Sequence, residues 1–240
     1  MEKKISIAII ALMAGSLFVA NASPKDDVAA AAAKLADGGN YSWKVTMDFG
    51  PNSQRTPGPT EGKIDKDGTT WMSSTFNDNT TEGVKMGDKV AVKGEDGWQA
   101  ASEISGGGGG FNPATGMARR LQNLKAPAAE AQDIITKVTD IAQDGDAYTG
   151  ALTEEGAKAM ATMGFGRRGG GNRPAPTDVK GSVTFWIKDG ALTKYQTKVS
   201  GKRQNRDGDE QPFERTTTVE IKDVGTTKVT VPDEAKNKLS

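Results

Sequence analysis

The sequence predicts a mainly β protein of the α+β class, built around one continuous antiparallel sheet. Between residues 178 and 222, apolar side chains such as Val183, Phe185 and Ile187 alternate with polar ones. Successive side chains of a strand point to opposite faces, so this alternation predicts strands with one sheltered face and one wet face. Short apolar segments at regular spacing between residues 61 and 101 predict a meander of further strands rather than parallel βαβ units.

Turn residues divide the closing region into strands. Asp189-Gly190 is a strong hairpin signal, because glycine adopts a positive φ without steric cost. The strand that follows this turn places Tyr195 on one face and Leu192 on the other. A last short strand is predicted at residues 229–232.

A short helix is predicted ahead of the sheet, at residues 25–36. Asp26 and Asp27 lie in its first turn, where carboxylates favour the helix dipole, and Gly38-Gly39 ends it. The strand at residues 41–49 that follows has three aromatic and two apolar side chains on one face, which indicates a deep apolar surface.

The middle of the chain, at about residues 111–165, is predicted as a helical insert. One helix covers residues 117–124, and Pro127 opens a second one whose apolar residues continue at helical spacing through Ile141. Thr153 caps a third helix, which runs through Met163. A returning strand at residues 147–152 and a loop of glycine, arginine and proline at residues 164–178 complete this region.

The first 22 residues predict a signal peptide. Lys3 and Lys4 precede a mostly apolar segment, and Ala20-Asn21-Ala22 fits the small-residue cleavage pattern, although a retained anchor is the alternative. Residues 23–240 would then form a single soluble domain in the periplasm or outside the cell. Removing Glu2, Lys3 and Lys4 from 31 basic and 31 acidic residues leaves 29 and 30, so neither nucleic acid nor an anionic membrane is expected as a partner.

The absence of cysteine and histidine argues against catalysis. The sequence contains neither residue, which excludes disulfides, thiol nucleophiles, Ser-His-Asp sites and nearly all zinc sites. We therefore expect no enzyme, no catalytic residue, no cofactor and no metal. Asp207-Gly208-Asp209-Glu210 lacks the spacing of a calcium loop and is interpreted as a polar hairpin tip.

One glycine-rich segment matches a nucleotide-binding pattern without its context. Residues 164–169 fit G-x-G-x-x-G, but a dinucleotide site needs a strand before the motif and a helix after it. Here a helix precedes the motif and prolines follow. Its arginines also suggest RNA binding, but the predicted export and the balanced charge favour a solvated loop.

The order of elements resembles the bacterial lipoprotein-localisation superfamily, which includes LolA, LolB and the LppX/LprG-type lipid-binding lipoproteins. The resemblance depends on three segments, at residues 41–49, 183–190 and 216–232, and it covers nearly the whole chain after residue 22 by pattern and order. It implies a strongly curved antiparallel half-barrel whose concave face is covered by a helical lid. The anchoring cysteine of the lipoprotein members has no counterpart here.

The resemblance also implies a ligand cavity between the concave face and the lid. The expected cavity wall comprises Trp43, Val45, Met47, Trp71, Phe185, Ile187, Tyr195, Val219 and Ile221. The expected lid comprises Ile134, Ile135, Val138, Met160, Met163 and Phe165. The implied function is non-catalytic binding of a hydrophobic small molecule, lipid or lipoprotein. The alternative is a structural or protein-binding module of the cell envelope, whose concave face is filled by its own side chains.

Overall fold

The computed structural model describes residues 23–51, 53, 57–76, 79–94, 97–104, 112–162, 174–205 and 208–240. The predicted signal peptide, Met163, Phe165, Asp207 and the glycine-arginine segment up to residue 173 lie outside these ranges. Within them the chain forms five helices and eleven strands.

The helices are α1 (Pro24–Gly38), α2 (Pro113–Gln122), α3 (Pro127–Thr136), α4 (Glu154–Thr162) and α5 (Asp233–Leu239). The strands are β1 (Tyr41–Asp48), β2 (Thr60–Ile64), β3 (Thr70–Phe76), β4 (Asn79–Met86), β5 (Lys89–Gly94), β6 (Gly97–Ala100), β7 (Val138–Asp144), β8 (Ala147–Leu152), β9 (Thr177–Lys188), β10 (Ala191–Gln204) and β11 (Glu210–Lys222).

All eleven strands belong to one curved, open antiparallel sheet. Their order is β6-β5-β4-β3-β2-β1-β11-β10-β9-β8-β7, so every neighbour except the β1–β11 pair is also consecutive along the chain. The meander forms one end of the sheet and the long closing strands form the other. The predicted fold class, a mainly β protein with a curved antiparallel sheet and helices, is confirmed.

The hairpin between β9 and β10 closes at the predicted turn. Asp189 and Gly190 both have positive φ, 52° and 69°, which matches a two-residue turn that follows the twist of the strands. The pairing then shifts between Leu192 and Lys194. This shift explains why Leu192 is 1 % exposed in the core, although simple alternation placed it on the wet face.

Four helices cover one face of the sheet, which we call the helix-covered face. It carries Trp43, Met72 and Tyr195. Helix α1 packs against α3 and β10, α2 against β4 and β5, and α4 against β9. The C-terminal helix α5 packs on the opposite face, where Ala235 and Leu239 contact a smaller apolar cluster.

Two sequence-based element predictions are wrong. The second insert helix ends at Thr136, and the apolar residues expected to continue it, Val138 and Ile141, belong to β7. Val138 pairs with Leu152, so the backbone groups of this segment bond to β8 rather than within a helix. The closing segment at residues 229–232 forms no strand and leads into α5, which alternation alone did not indicate.

No helix among the described ranges is both long enough and apolar enough to cross a membrane.

Glycines in the sheet make room for large side chains on the helix-covered face. A Cβ atom on Gly62 would lie 2.2 Å from the indole ring of Trp43, and one on Gly83 would lie 2.5 Å from Leu121 of α2. The Trp43 ring and the Leu121 side chain therefore lie directly against the backbone of these two glycines. Such close packing leaves no space for an added methyl group.

Gly62→Ala should destabilise the protein by about 1–3 kcal/mol, because the new methyl group must displace the Trp43 ring. Gly94→Ala is the matched control in the same sheet, since the nearest atom to its Cβ would be 3.9 Å away. Urea denaturation of both variants measures the difference. Equal losses would show that the Trp43 ring does not restrict Gly62.

Candidate functional site

Strand register brings most of the predicted cavity wall onto the helix-covered face. Trp43 pairs with Ile221, and Val45 pairs with Val219, which pairs in turn with Tyr195. Phe185 continues this row on β9, and Ile187 follows two residues later on the same strand. Eight of the nine predicted wall residues lie on this face: Trp43, Val45, Met47, Phe185, Ile187, Tyr195, Val219 and Ile221.

Trp71 does not belong to this face, and its predicted place in the cavity wall is wrong. Met72 pairs with Gly62 under Trp43, so Trp71, one residue earlier, points to the opposite side of the sheet. There it packs with the cluster under α5, and Lys63 lies over its ring at 5.4 Å. The meander strand contains apolar residues on both faces, so alternation could not assign Trp71.

The innermost residues of the predicted wall are packed core. Trp43 is 4 % exposed and Phe185 is fully buried. Their rings lie against those of tyrosines on the same face, with centroids 5.8 Å apart for Tyr41–Trp43 and 6.2 Å apart for Phe185–Tyr195. Side chains of the protein itself occupy this part of the face.

The predicted lid residues in the described ranges join the same core. Ile134 and Ile135 of α3, Met160 of α4 and Val138 of β7 are all buried in the cluster beneath the helices. Val138 thus contributes from a strand rather than from the expected helix.

Burial decreases along β1 toward one end of the sheet. Tyr41 and Trp43 are buried, whereas Val45, Met47 and Phe49 on the same face are half-buried. The helices therefore cover one end of this face more completely than the other. Beyond Val199 on β10 and Arg215 on β11, the face continues into an open groove.

This distal groove has a volume of about 1380 Å³ and lies between α4 and the ends of β9, β10 and β11. Its apolar lining comprises Phe49, Pro51, Pro176, Val179, Pro212 and Phe213. Phe213 is half-buried and packs against the main core, and a Cβ atom on Gly201 would lie 3.1 Å from its ring. Phe213 therefore forms the boundary between the core and the groove.

Charged residues of both signs line the rim of the distal groove. Lys202 forms an ion pair with Asp178 at 2.8 Å, and Lys158 forms one with Glu154 at 2.6 Å. The hydrogen bond from Lys202 lowers the pKa of Asp178. Asp178 has a φ of 51°, a left-handed conformation that Asp tolerates better than most residues. The rim is thus polar without a strong net charge.

Sequence reasoning missed a buried arginine beside the groove. Arg215 is 8 % exposed and its guanidinium donates to the backbone carbonyl oxygen of Met160 near the end of α4. A cation is favoured at a helix C-terminus because the terminal carbonyl groups carry partial negative charge. In the sequence, alternation places Arg215 on the same face as Val219 and Ile221, but it does not show that the guanidinium contacts the end of α4.

A second missed group is Glu130 on α3. Its carboxylate accepts a hydrogen bond from the hydroxyl of Tyr195 at 2.5 Å. Burial raises the pKa of Glu130 above its usual value of 4.5, while the Tyr195 hydrogen bond opposes this shift. Nothing in the sequence pattern distinguishes Glu130 from a solvent-facing helix residue.

The described residues contain no group of three or more histidine, cysteine, aspartate or glutamate side chains arranged to hold a metal ion.

Comparison with solved structures finds similar chains at low identity. The lipoprotein LppX of Mycobacterium tuberculosis matches with 12 % identity and a TM-score of 0.42, over 82 % of this chain and 92 % of the other. LprF of Mycobacterium bovis matches with 13 % identity and a TM-score of 0.44, over 88 % of this chain and 97 % of the other. LppX is one of the proteins that the sequence pattern resembles.

No protein-family model matches the sequence, and no curated protein matches it. The likeness to LppX and LprF carries no information on ligands, because one fold supports many functions.

Trp43→Ala should reduce the free energy of unfolding by about 3–5 kcal/mol, because it removes a packed ring and leaves a void. Trp186→Ala is the matched control: Trp186 is half-buried on the opposite face, where Lys194 lies 3.7 Å from its ring centroid. Urea denaturation should show a much smaller loss for the control. A small loss for Trp43→Ala would mean that solvent or ligand, rather than core, surrounds its ring.

Proposed function

We propose that the protein binds a hydrophobic ligand with an acyl chain, such as a fatty acid or lipid, in the distal groove. The observation that carries this proposal is the continuity of the groove with the apolar face of the sheet. Starting from the core residue Val179, the half-buried rings of Phe213 and Phe49 continue that face into a space of about 1380 Å³. Ligand pockets of about 300–1,000 Å³ already bury most of a small molecule, so this volume accommodates a long chain.

The lining is suited to an amphiphile. Apolar side chains form the floor, and the paired charges of Lys202 and Asp178 stand at the rim. A chain on the floor would leave water while a polar end group stayed solvated among the rim charges. Binding would proceed by shape and desolvation, without a covalent step.

We also propose that the protein acts outside the cytoplasm, because residues 1–22 have the pattern of a signal peptide. Sequencing the N-terminus of protein recovered from the envelope or the medium tests this proposal. An N-terminus at or near Ser23 would support export, and an intact Met1 in that fraction would contradict cleavage.

The second candidate function is a structural or protein-binding module of the cell envelope. Burial of Trp43, Phe185 and Tyr195 favours this alternative, since these residues fill the part of the face where the sequence predicts a ligand. Under this alternative the distal groove would bind no acyl chain. Native mass spectrometry of protein purified from its own envelope distinguishes the two, because only the first predicts co-purified lipid.

Phe213→Ala should weaken binding of a fluorescent fatty acid about tenfold or more. Losing the contact of a phenyl ring with the chain costs about 1.5–3 kcal/mol, and each 1.4 kcal/mol is a factor of ten in affinity. Titration monitored by probe fluorescence measures this change, with circular dichroism to verify that each variant is folded. Trp186→Ala, on the opposite face, should bind as the parent does.

Two results would contradict this site. Unchanged affinity in a folded Phe213→Ala variant would exclude the distal groove, and absence of probe binding to the parent protein would favour the structural alternative.

A further inference from the structure

Two polar contacts lie within the apolar interface between α3 and the sheet. The Tyr195 hydroxyl on β10 donates to Oε2 of Glu130 at 2.5 Å. The backbone N–H of Ala128 donates to the Tyr41 hydroxyl on β1 at 3.3 Å. Tyr195 and Tyr41 are only 1 % and 2 % exposed. The first turn of α3 is thus tied to two strands through buried tyrosines, whereas the Glu130 side chain itself is half-buried.

Helix α3 places the carboxyl group of Glu130 next to apolar residues. Ala131, Ile134 and Ile135, later in α3, are all buried in the main core. An ionised carboxylate in such surroundings has lost part of the water that stabilises its charge, and a single hydroxyl donor does not fully replace it. A protonated carboxyl group keeps the contact with Tyr195 without a buried charge.

The charges nearest to Glu130 come from α3 and the segment before it. Lys125 favours the ionised form of Glu130, and Asp133 opposes it. On the sheet side the partners are tyrosines, and burial raises the pKa of both Tyr41 and Tyr195. Both hydroxyls therefore stay protonated across the physiological range, and Glu130 is the group that titrates.

Helix α1 also packs on α3, but most of its charged side chains contact groups other than Glu130. The Nζ atom of Lys25 donates to the carbonyl oxygen of Val138 at 3.0 Å, Asp26 bonds the Ser23 cap, and Asp27 lies near Tyr148. At the other end of α1, Lys34 lies next to Gly190, and Asp37 is exposed.

We propose that Glu130 and Tyr195 form a pH-sensitive tie that holds α3 on the sheet. The Tyr195 hydroxyl bonds the ionised carboxylate more strongly, but ionisation also leaves a charge in a poorly solvated place, and this cost is the larger one. The packing of α3 on the sheet is therefore most favourable with the carboxyl group protonated, and rising pH loosens the cover over Tyr41 and Tyr195. The device depends on the packing of α3 alone and requires no ligand in the distal groove.

The direction of the pH dependence follows from linkage. The pKa of Glu130 is higher in the folded protein than its usual value of 4.5. The stabilisation is therefore complete below about pH 4.5 and is lost as the pH rises through the higher, folded-state pKa. Between the two values the folding equilibrium changes by up to about tenfold per pH unit.

The test compares the pH dependence of the urea midpoint in the full chain and in Glu130→Gln. Glutamine keeps an acceptor for Tyr195 but does not ionise. We expect the variant to gain stability relative to the parent as the pH rises from about 4.5 toward 8. Parallel profiles of parent and variant would overturn the proposal.

Asp133→Asn is the control on the same helix. The hydrogen bond from Lys137 lowers the pKa of Asp133, so its stabilisation is lost as the pH falls, which is the opposite sense. Hydrogen exchange then locates the effect. After correction for intrinsic rates, the amides of α3 should lose protection with rising pH in the parent and in Asp133→Asn, but not in Glu130→Gln.

Tyr195→Phe provides an independent measurement if Glu130→Gln fails to fold. Removing the hydroxyl donor takes away a group that favours the ionised carboxylate, so the midpoint of the pH-dependent change should move to higher pH. An unchanged midpoint would show that the contact is structural only, and it would overturn the tie.

Discussion

Covering one face of a single open sheet is the constraint on which the rest of this structure depends. Eleven antiparallel strands satisfy one another's backbone groups, but the apolar side chains on one face still need protection from water. Helices α1 to α4 provide it, and the glycines at positions 62 and 83 let Trp43 and Leu121 lie against the backbone. The opposite face is mostly polar in the described residues, although α5 covers a small apolar cluster there and Trp186 lies half-buried on it.

The cover is uneven, and it divides this face into a packed core and an open groove. Near Trp43 and Phe185, the helices and the sheet are in close contact and the space is filled by the protein. Toward Phe49 and Phe213, the same face continues past the core into the distal groove. Arg215 lies between these regions and ties the end of α4, which forms one wall of the groove, to β11. One apolar surface thus contributes a packed core at one end and an open groove at the other.

The polar groups within the core have different physical roles. The Arg215 cation lies at the C-terminal, carbonyl end of helix α4. This contact is favourable at any physiological pH, because arginine does not deprotonate. Glu130 places a titratable group against Tyr195, so its contribution depends on pH. The two contacts anchor different helices, α4 and α3.

The sequence by itself determined the sheet, because a side-chain period of two places Val219, Tyr195 and Phe185 on one face wherever the strands pair. The Asp189-Gly190 turn and the Thr153 helix cap depend on equally local chemistry, and the structure contains both. Only the tertiary structure decided the face of Trp71, the end of α3 at Thr136, the inward position of Glu130 and the partner of Arg215 at the end of α4. Those features depend on which elements pack against each other, and local periodicity carries no information on such contacts. The distal groove likewise depends on how far the helices extend over the strands, and no single segment of the sequence determines this.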